Sequence, residues 1–389
     1  MKRIYLDWAA TALPDEQIIR YAADTSLKDF GNPSSPHQRG KDAAALIESE
    51  RKKAAGYLGT TADKLYLSSG GTESNNIVLT SLLNKQRKGN IIISGIEHSA
   101  VYEPAMMLEK FGWEIRMVNP EADGIISVDR FRSRIDENTR MAAVIMINNE
   151  TGAVQPIEQL GKAALSADTR YHVHFHIDAV QAAGKYPLNL DRLPVDSASF
   201  SSHKFRGPRG AGFLYLKKKL EPLYAGGGQE NGLRHGTENT FGLVGSTAAL
   251  EKSLNDIDRN TEHALMLKKN LISRLSGIKG IKFNPDEPEK LLDPSKYSPY
   301  ILSICVKPVP GEILVRVLSD KGFDIATGSA CATGKKKKSR VMEAFSISSE
   351  DAFSTVRIST GSDTTFDDIN QFCDTFERES TILIRNLRR

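Results

Sequence analysis

The chain has 389 residues, of which 40% are hydrophobic and 26% charged, values ordinary for a globular protein that argue against disorder or a membrane class. Its formal net charge of +4 is interspersed along the chain rather than gathered into a basic stripe with interleaved aromatics, so no nucleic acid and no membrane are expected as partners.

The first ten residues carry Lys2, Arg3 and Asp7 and no apolar stretch long enough for a signal peptide or a membrane helix, so a cytoplasmic location is expected. Three widely spaced cysteines, Cys305, Cys331 and Cys373, argue against a disulfide framework and for a reducing compartment. Short apolar runs at 65–67, 91–93, 142–147, 175–177 and 213–216 read as strands. Between them, stretches such as 101–110 and 157–167 have helical spacing. That alternation predicts an α/β fold with a mostly parallel sheet wrapped by helices. Beyond Thr240 come long polar-faced helical stretches to about Leu275, a Pro- and Lys-containing linker over 284–299, and a short mixed segment with a helical tail. These are assigned to a second, smaller α+β domain. No solenoid-period repeat is visible, and the low-complexity piece is the lysine run 335–338.

Three segments bear chemistry. Ser68-Ser-Gly-Gly-Thr-Glu-Ser-Asn-Asn76 follows a strand and precedes a helix, so its glycines let backbone amides and the Thr72 hydroxyl approach an anion at the helix N-terminus. As a lone glycine-rich loop it is weak evidence, and an ordinary helix N-cap accounts for it too. His176-Ile-Asp-Ala-Val-Gln181 puts Asp178 at the end of an apolar strand, where a carboxylate needs a cationic partner such as a protonated pyridine nitrogen, or caps the next helix. Ser199-Phe-Ser-Ser-His-Lys-Phe-Arg-Gly-Pro-Arg-Gly210 puts Lys204 just past a strand end, where ligand crevices form in α/β sheets. Lysine forms Schiff bases with pyridoxal 5′-phosphate (PLP), and Ser201 and His203 stand ready for its phosphate. Alone, the segment is also compatible with an exposed loop lysine.

With His98 in Glu97-His-Ser-Ala-Val101, these elements in this order resemble the fold-type-I PLP enzymes of the class V aminotransferase superfamily. Tyr5-Leu-Asp-Trp-Ala-Ala-Thr11, Gly31-Asn-Pro-Ser-Ser35, Asn148-Asn-Glu-Thr-Gly152, Arg234-His-Gly-Thr237, Gly328-Ser-Ala-Cys331 and Arg357-Ile-Ser-Thr-Gly361 narrow the resemblance to cysteine desulfurases of the NifS/IscS kind. The resemblance implies a seven-stranded-type, mostly parallel sheet wrapped by helices with a smaller α+β C-terminal domain. Residues 1–14 would pack on that small domain, 15–250 form the PLP domain, and 251–389 carry the cysteine loop. It implies Lys204 as the Schiff-base lysine and Asp178 on the pyridine nitrogen. Gln181 would sit on the phenolic oxygen, with His98 over the ring as a proton shuttle. Gly71, Thr72, Ser201 and His203 would hold the phosphate. Thr237 would reach the cofactor of the neighbouring subunit in a homodimer, while Asn149 and Arg357 would hold the carboxylate of the L-cysteine substrate. No metal is called for. A sulfur-acceptor or iron–sulfur scaffold protein is implied as partner.

Cys331 separates this reading from its relatives. Taking sulfur from a bound substrate requires a second nucleophile that carries it away as a persulfide, which a thiolate does best. Gly328 and the stretch Gly334-Lys-Lys-Lys-Lys-Ser339 suggest a mobile loop, whereas Cys305 and Cys373 read as small buried hydrophobes. A selenocysteine lyase, another class V enzyme, or an inactive sulfur-carrier scaffold are the competing functions. Two features depart from the family pattern: the four-lysine run, which depresses the thiol pKa or is simply a solvated face, and His235 where serine is common. His172, His174 and His176 alternate onto one strand face, where a metal site is conceivable, although only His176 matches the family.

Overall fold

The computed structural model describes residues 3–328 and 339–387. Strand β1 (Ile4–Tyr5) leads into helices α1 (Glu16–Lys28) and α2 (Gln38–Tyr57). The chain then alternates through β2 (Leu65–Ser68), α3 (Gly71–Thr80), β3 (Asn90–Ser94), α4 (Ser99–Lys110), β4 (Glu114–Val118), α5 (Val128–Arg132), β5 (Thr139–Ile145), α6 (Ile157–Leu165), β6 (His174–Asp178), β7 (Ser197–Ser201) and β8 (Gly212–Leu216). Among the described residues, β2 to β8 form one seven-stranded sheet in the order β2-β8-β7-β6-β5-β3-β4. From β4 to β7 neighbours are parallel, and β8 runs antiparallel to both of its own.

Every residue of β3, β7 and β8 is buried, as helices on both faces require. Ile91, Ile92 and Ile93 supply apolar side chains to both sides of β3. In β7 the pattern differs: Ala198 and Phe200 join the large core with Phe175 and Ile177, while Ser197, Ser199 and Ser201 point the other way, as period-two alternation dictates.

After a short turn α7 (Gln229–Gly232), helices α8 (Thr240–Asn255) and α9 (Ile257–Leu275) lead to β9 (Ile281–Phe283), β10 (Ile301–Val306), α10 (Gly311–Asp320), β11 (Phe323–Asp324) and β12 (Ala326–Thr327). Beyond the undescribed stretch lie α11 (Arg340–Ala344), α12 (Ser349–Phe353), β13 (Thr355–Ser359) and α13 (Phe366–Leu387). A four-stranded antiparallel sheet, β12-β13-β10-β9, carries a second core. Leu302, Ile304 and Val306 of β10 pack there with Leu267 and Leu271 of α9 and Phe372 and Phe376 of α13, each buried Leu, Ile or Phe contributing about 1.5–3 kcal/mol. The N-terminus belongs to this core through Ile4 and Leu6. β1 pairs in parallel with β11, and Asp7 bridges to Ser359. Those pairings bring Asp7 and Arg357 of β13 up to the open end of the main sheet.

Candidate active site

A cavity of about 560 Å³ opens where β5, β6 and β7 end, at the carboxyl ends of parallel strands where α/β folds place ligands. Asp178 closes β6 and lines it, 4% exposed. Its Oδ1 accepts from the Val180 amide (3.1 Å) and its Oδ2 from Asn75 Nδ2 (2.9 Å). Gln181, one turn on, donates through Nε2 to the Ala9 carbonyl (2.8 Å) and accepts from Lys185 Nζ at Oε1 (3.1 Å).

Lys204 sits in a short helical turn after β7, closed by Arg206 in the left-handed region (φ 71°). The Arg206 guanidinium anchors the turn on Asp363 (2.6 and 2.7 Å). Lys204 Nζ donates to the carbonyls of Ala9 (2.6 Å) and Ala10 (2.7 Å). Burial, and then the positive charge of Arg357, push its pKa down to about 8, while Asp178 and Asp7 pull the other way.

At the far wall, α3 begins at Gly70 (φ 137°) with no side chain capping its first amides. A Cβ on Gly71 would lie 2.5 Å from Val180 Cγ2, and one on Gly70 3.1 Å from Ser201 Oγ. Only glycine brings the backbone this close. Gly71, Thr72, Ser201 and His203 all face this end. His203 Nδ1 is 3.0 Å from Thr11 Oγ1, and burial followed by the charges of Lys204 and Arg209 pushes its pKa down to about 4. Over the opening, His98 caps α4 by accepting from the Ala100 amide at Nδ1 (3.1 Å), which leaves Nε2 for the cavity. Desolvation lowers its pKa against the pull of Asp178, with Lys204 adding to the lowering.

From the smaller part of the fold, Arg357 reaches in, its Nη2 on Asp7 Oδ1 (2.6 Å) and its Nη1 on the Asn149 carbonyl (2.8 Å). Nη1 and Nη2 each keep a second N–H beyond these acceptors. Asn149 also lines the cavity.

The fold thus brings together Gly71, Thr72, His98, Asn149, Asp178, Gln181, Ser201, His203, Lys204 and Arg357. Thr237 is exposed and does not line this cavity. Cys331 and the lysine run 335–338 lie outside the described residues, although Gly328 on one side and Arg340 on the other line the cavity. The three alternating histidines do not converge on a common point. His172 pairs with Asp196 (2.9 Å), whereas His174 and His176 share the Ser197 hydroxyl. Among the described residues no group of three His, Cys, Asp or Glu side chains stands close enough to hold a metal.

Asp7, Asn75, Glu97 and Arg340 also line the cavity and were not singled out by the sequence. Asp7, Asn75 and Glu97 lie within the quoted motifs, so the motifs were the available signal. Glu97 is fully buried, accepts from the Ile145 amide (2.6 Å) and the Ser94 hydroxyl, and has no partner at Oε2. Burial pushes its pKa up to about 8.

This donor set fits PLP. An amine whose pKa is lowered to about 8 suits an aldehyde, a buried carboxylate suits a ring nitrogen, and an uncapped helix N-terminus pressed close by two glycines suits a phosphate. When bound, PLP supplies an electron sink that stabilises negative charge at a substrate α-carbon.

The class-V aminotransferase family profile matches residues 4–372. The cysteine desulfurase IscS of Dictyoglomus turgidum is 36% identical over 386 residues, covering 97% of this chain and 95% of that protein. A solved structure titled as a NifS-like protein superposes with a TM-score of 0.90 at 31% identity, covering 98% of this chain and all of the other. The structure titled "SspA in complex with cysteine" superposes with a TM-score of 0.79 at 29% identity, covering 92% and 99% of the two chains.

Proposed function

Since the chain belongs to the class-V aminotransferase family, we propose that it is a PLP-dependent cysteine desulfurase, converting L-cysteine to L-alanine and placing the sulfur on Cys331 as a persulfide. The observation that carries this reading is one cavity in which the Lys204 amine, the Asp178 carboxylate, the uncapped start of α3 and the Arg357 guanidinium all converge.

In this reading Arg357 and Asn149 receive the substrate carboxylate, with Asp7 fixing the guanidinium plane so that the remaining N–H groups face it. Lys204, its pKa near 8, takes the proton from the substrate α-carbon as a general base. Asp178 would hold the ring nitrogen of PLP and Gln181 its phenolic oxygen, while Gly71, Thr72, Ser201 and His203 would hold the phosphate. His98 offers Nε2 for proton movement on the open face. The Cys331 thiolate attacks the substrate sulfur. An S–S bond forms as the Cβ–S bond breaks, the electron pair stays with the substrate carbon, and that carbon takes up a proton on the way to alanine.

A homodimer in which Thr237 serves the neighbouring cofactor, and delivery of the sulfur to an acceptor or iron–sulfur scaffold protein, belong to the same proposal. No helix among the described residues is long and apolar enough to cross a membrane, and the proposed setting is the cytoplasm. The decisive experiment loads the purified protein with PLP, adds L-cysteine, and measures alanine and transferable sulfur. Equimolar alanine and sulfur support the reading. Pyruvate with ammonia, or transamination without sulfur release, overturns it.

A further inference from the structure

Strands β6 and β7 run side by side in parallel, with His176 opposite Ser197 and Asp178 opposite Ser199. Alternation therefore puts His174, His176 and Asp178 on the same sheet face as Ser197 and Ser199, while Phe175, Ile177, Ala198 and Phe200 fill the core on the other. The polar face is covered by α3, which contributes Asn75. Asn75, His176 and Ser197 are all fully buried, and buried polar groups are costly unless hydrogen-bonded.

They are bonded in series. His174 Nε2 is 2.7 Å from Ser197 Oγ, which is 2.8 Å from His176 Nδ1. His176 Nε2 is 2.9 Å from Asn75 Oδ1, and Asn75 Nδ2 is 2.9 Å from Asp178 Oδ2. The directions follow from the inner end. A carboxylate only accepts, so the Asn75 amide must present Nδ2–H to Asp178 and Oδ1 to His176. His176 must then carry its proton on Nε2, which leaves Nδ1 as an acceptor for the Ser197 hydroxyl. With its one proton given to His176, Ser197 accepts from His174 Nε2–H. Burial pushes the pKa of His176 down to about 3 and that of His174 to about 4, so both rings are neutral near pH 7, as this arrangement requires.

We propose that Ser197, His176 and Asn75, with His174 at the outer end, are positioning residues whose one-directional chain of hydrogen bonds fixes the Asp178 carboxylate toward the ring nitrogen of PLP. The proposal rests on the reading of Asp178 as that nitrogen's partner. Its outer link is the Ser197 hydroxyl, which donates to His176 Nδ1 and so supports the tautomer that Asp178 and Asn75 require. Without it, the His176 Nδ1 lone pair is left buried and unpaired, and the form with the proton on Nδ1, whose Nε2 lone pair opposes Asn75 Oδ1 and loosens the amide's hold on the carboxylate, competes with the native one.

The test uses holoenzyme loaded with PLP carrying ¹⁵N in the ring, read by nitrogen NMR beside steady-state kinetics. Asp178→Asn should move the ring-nitrogen resonance to the unprotonated position. Ser197→Ala should move it part of the way and lower kcat up to about ten-fold, the scale of one lost buried hydrogen bond, with the KM for cysteine within about two-fold. Ser197→Thr, which keeps the hydroxyl, should restore both. Asn75→Ala gives a second route should the strand variant fold poorly, and it should reproduce the partial shift. A wild-type resonance in Ser197→Ala and Asn75→Ala, with the shift present in Asp178→Asn, overturns the chain alone. A resonance unmoved in Asp178→Asn overturns both the chain and the reading it rests on.

Discussion

The rate at which the apoprotein takes up PLP should report the state of Lys204 directly, because only a neutral amine attacks an aldehyde. Lysine ordinarily titrates at 10.5, and burial together with Arg357 brings Lys204 to about 8. At pH 7 roughly one amine in ten is then neutral, against about one in three thousand for an unshifted lysine, a gain of about 300-fold. The neutral form accumulates as pH rises, so the rate should climb about ten-fold per unit below pH ~8 and flatten above it. Two substitutions should move the midpoint in opposite directions. Arg357→Gln removes a charge that lowers the value and should shift the midpoint up, whereas Asp178→Asn removes one that raises it and should shift the midpoint down. The assay mixes apoprotein with PLP and follows the visible band of the bound form, with a free amine in the same buffers correcting for titration of PLP itself. A rate still rising ten-fold per unit beyond about pH 9, or midpoints moving in the reverse order, would refute the reasoning.

Arg357→Lys keeps the charge but not the planar fork. One ammonium cannot hold Asp7 and a substrate carboxylate with the geometry of separate Nη1 and Nη2 atoms, and kcat/KM for cysteine should fall about ten- to a hundred-fold while PLP uptake survives. Cys331→Ser should bind PLP and cysteine and fail in sulfur transfer, since a serine hydroxyl forms no persulfide; full alanine production by this variant would move the function elsewhere. Mass measurement should find a dimer, and Thr237→Val should weaken PLP retention, whereas a PLP-loaded, active monomer would contradict the proposed role of this exposed residue.

Where a strand's character lay in its own side chains, the sequence could be read to within a few residues. The run 91–93 lies inside β3, where three consecutive β-branched isoleucines suit a strand in a sheet covered on both faces. The run 142–147 was placed late, since β5 begins at Thr139, whose hydroxyl donates to Asn90 Oδ1 (2.8 Å) and so starts the strand with a polar residue. The antiparallel direction of β8 was beyond reach, because an apolar pattern carries no strand direction. The site divides the same way. Lys204, Asp178 and His98 stood out through motifs local in sequence, whereas Asn75 acts on Asp178 across 103 positions and Asp7 on Arg357 across 350. No periodicity encodes such pairings. They exist only once β6 lies beside β7 under α3, and once β1 has paired with β11.

The fold also bears on which cysteine carries the sulfur. Cys305 lies in β10, between β9 and β13, and Cys373 on the inner face of α13; each is 1% exposed. Burial pushes both thiols up to about 11, so near pH 7 only about one in ten thousand of either is a thiolate, the form that attacks sulfur. Their packing also commits them, since Cys373 is part of the second core and Cys305 is buried within its sheet; moving either to the main cavity would leave a hole, and cavities left by buried side chains cost about 24 cal/mol per Å³. The proposed chemistry needs a thiol that ionises and is not spent on packing. Of the three cysteines, Cys331 alone follows a residue that lines the cavity by only three positions, Gly328. A sulfur adduct formed on exposure to cysteine should reside on the peptide containing Cys331; one found on Cys373 would mean that the second core opens during turnover, and one on Cys305 that the sheet holding β10 does.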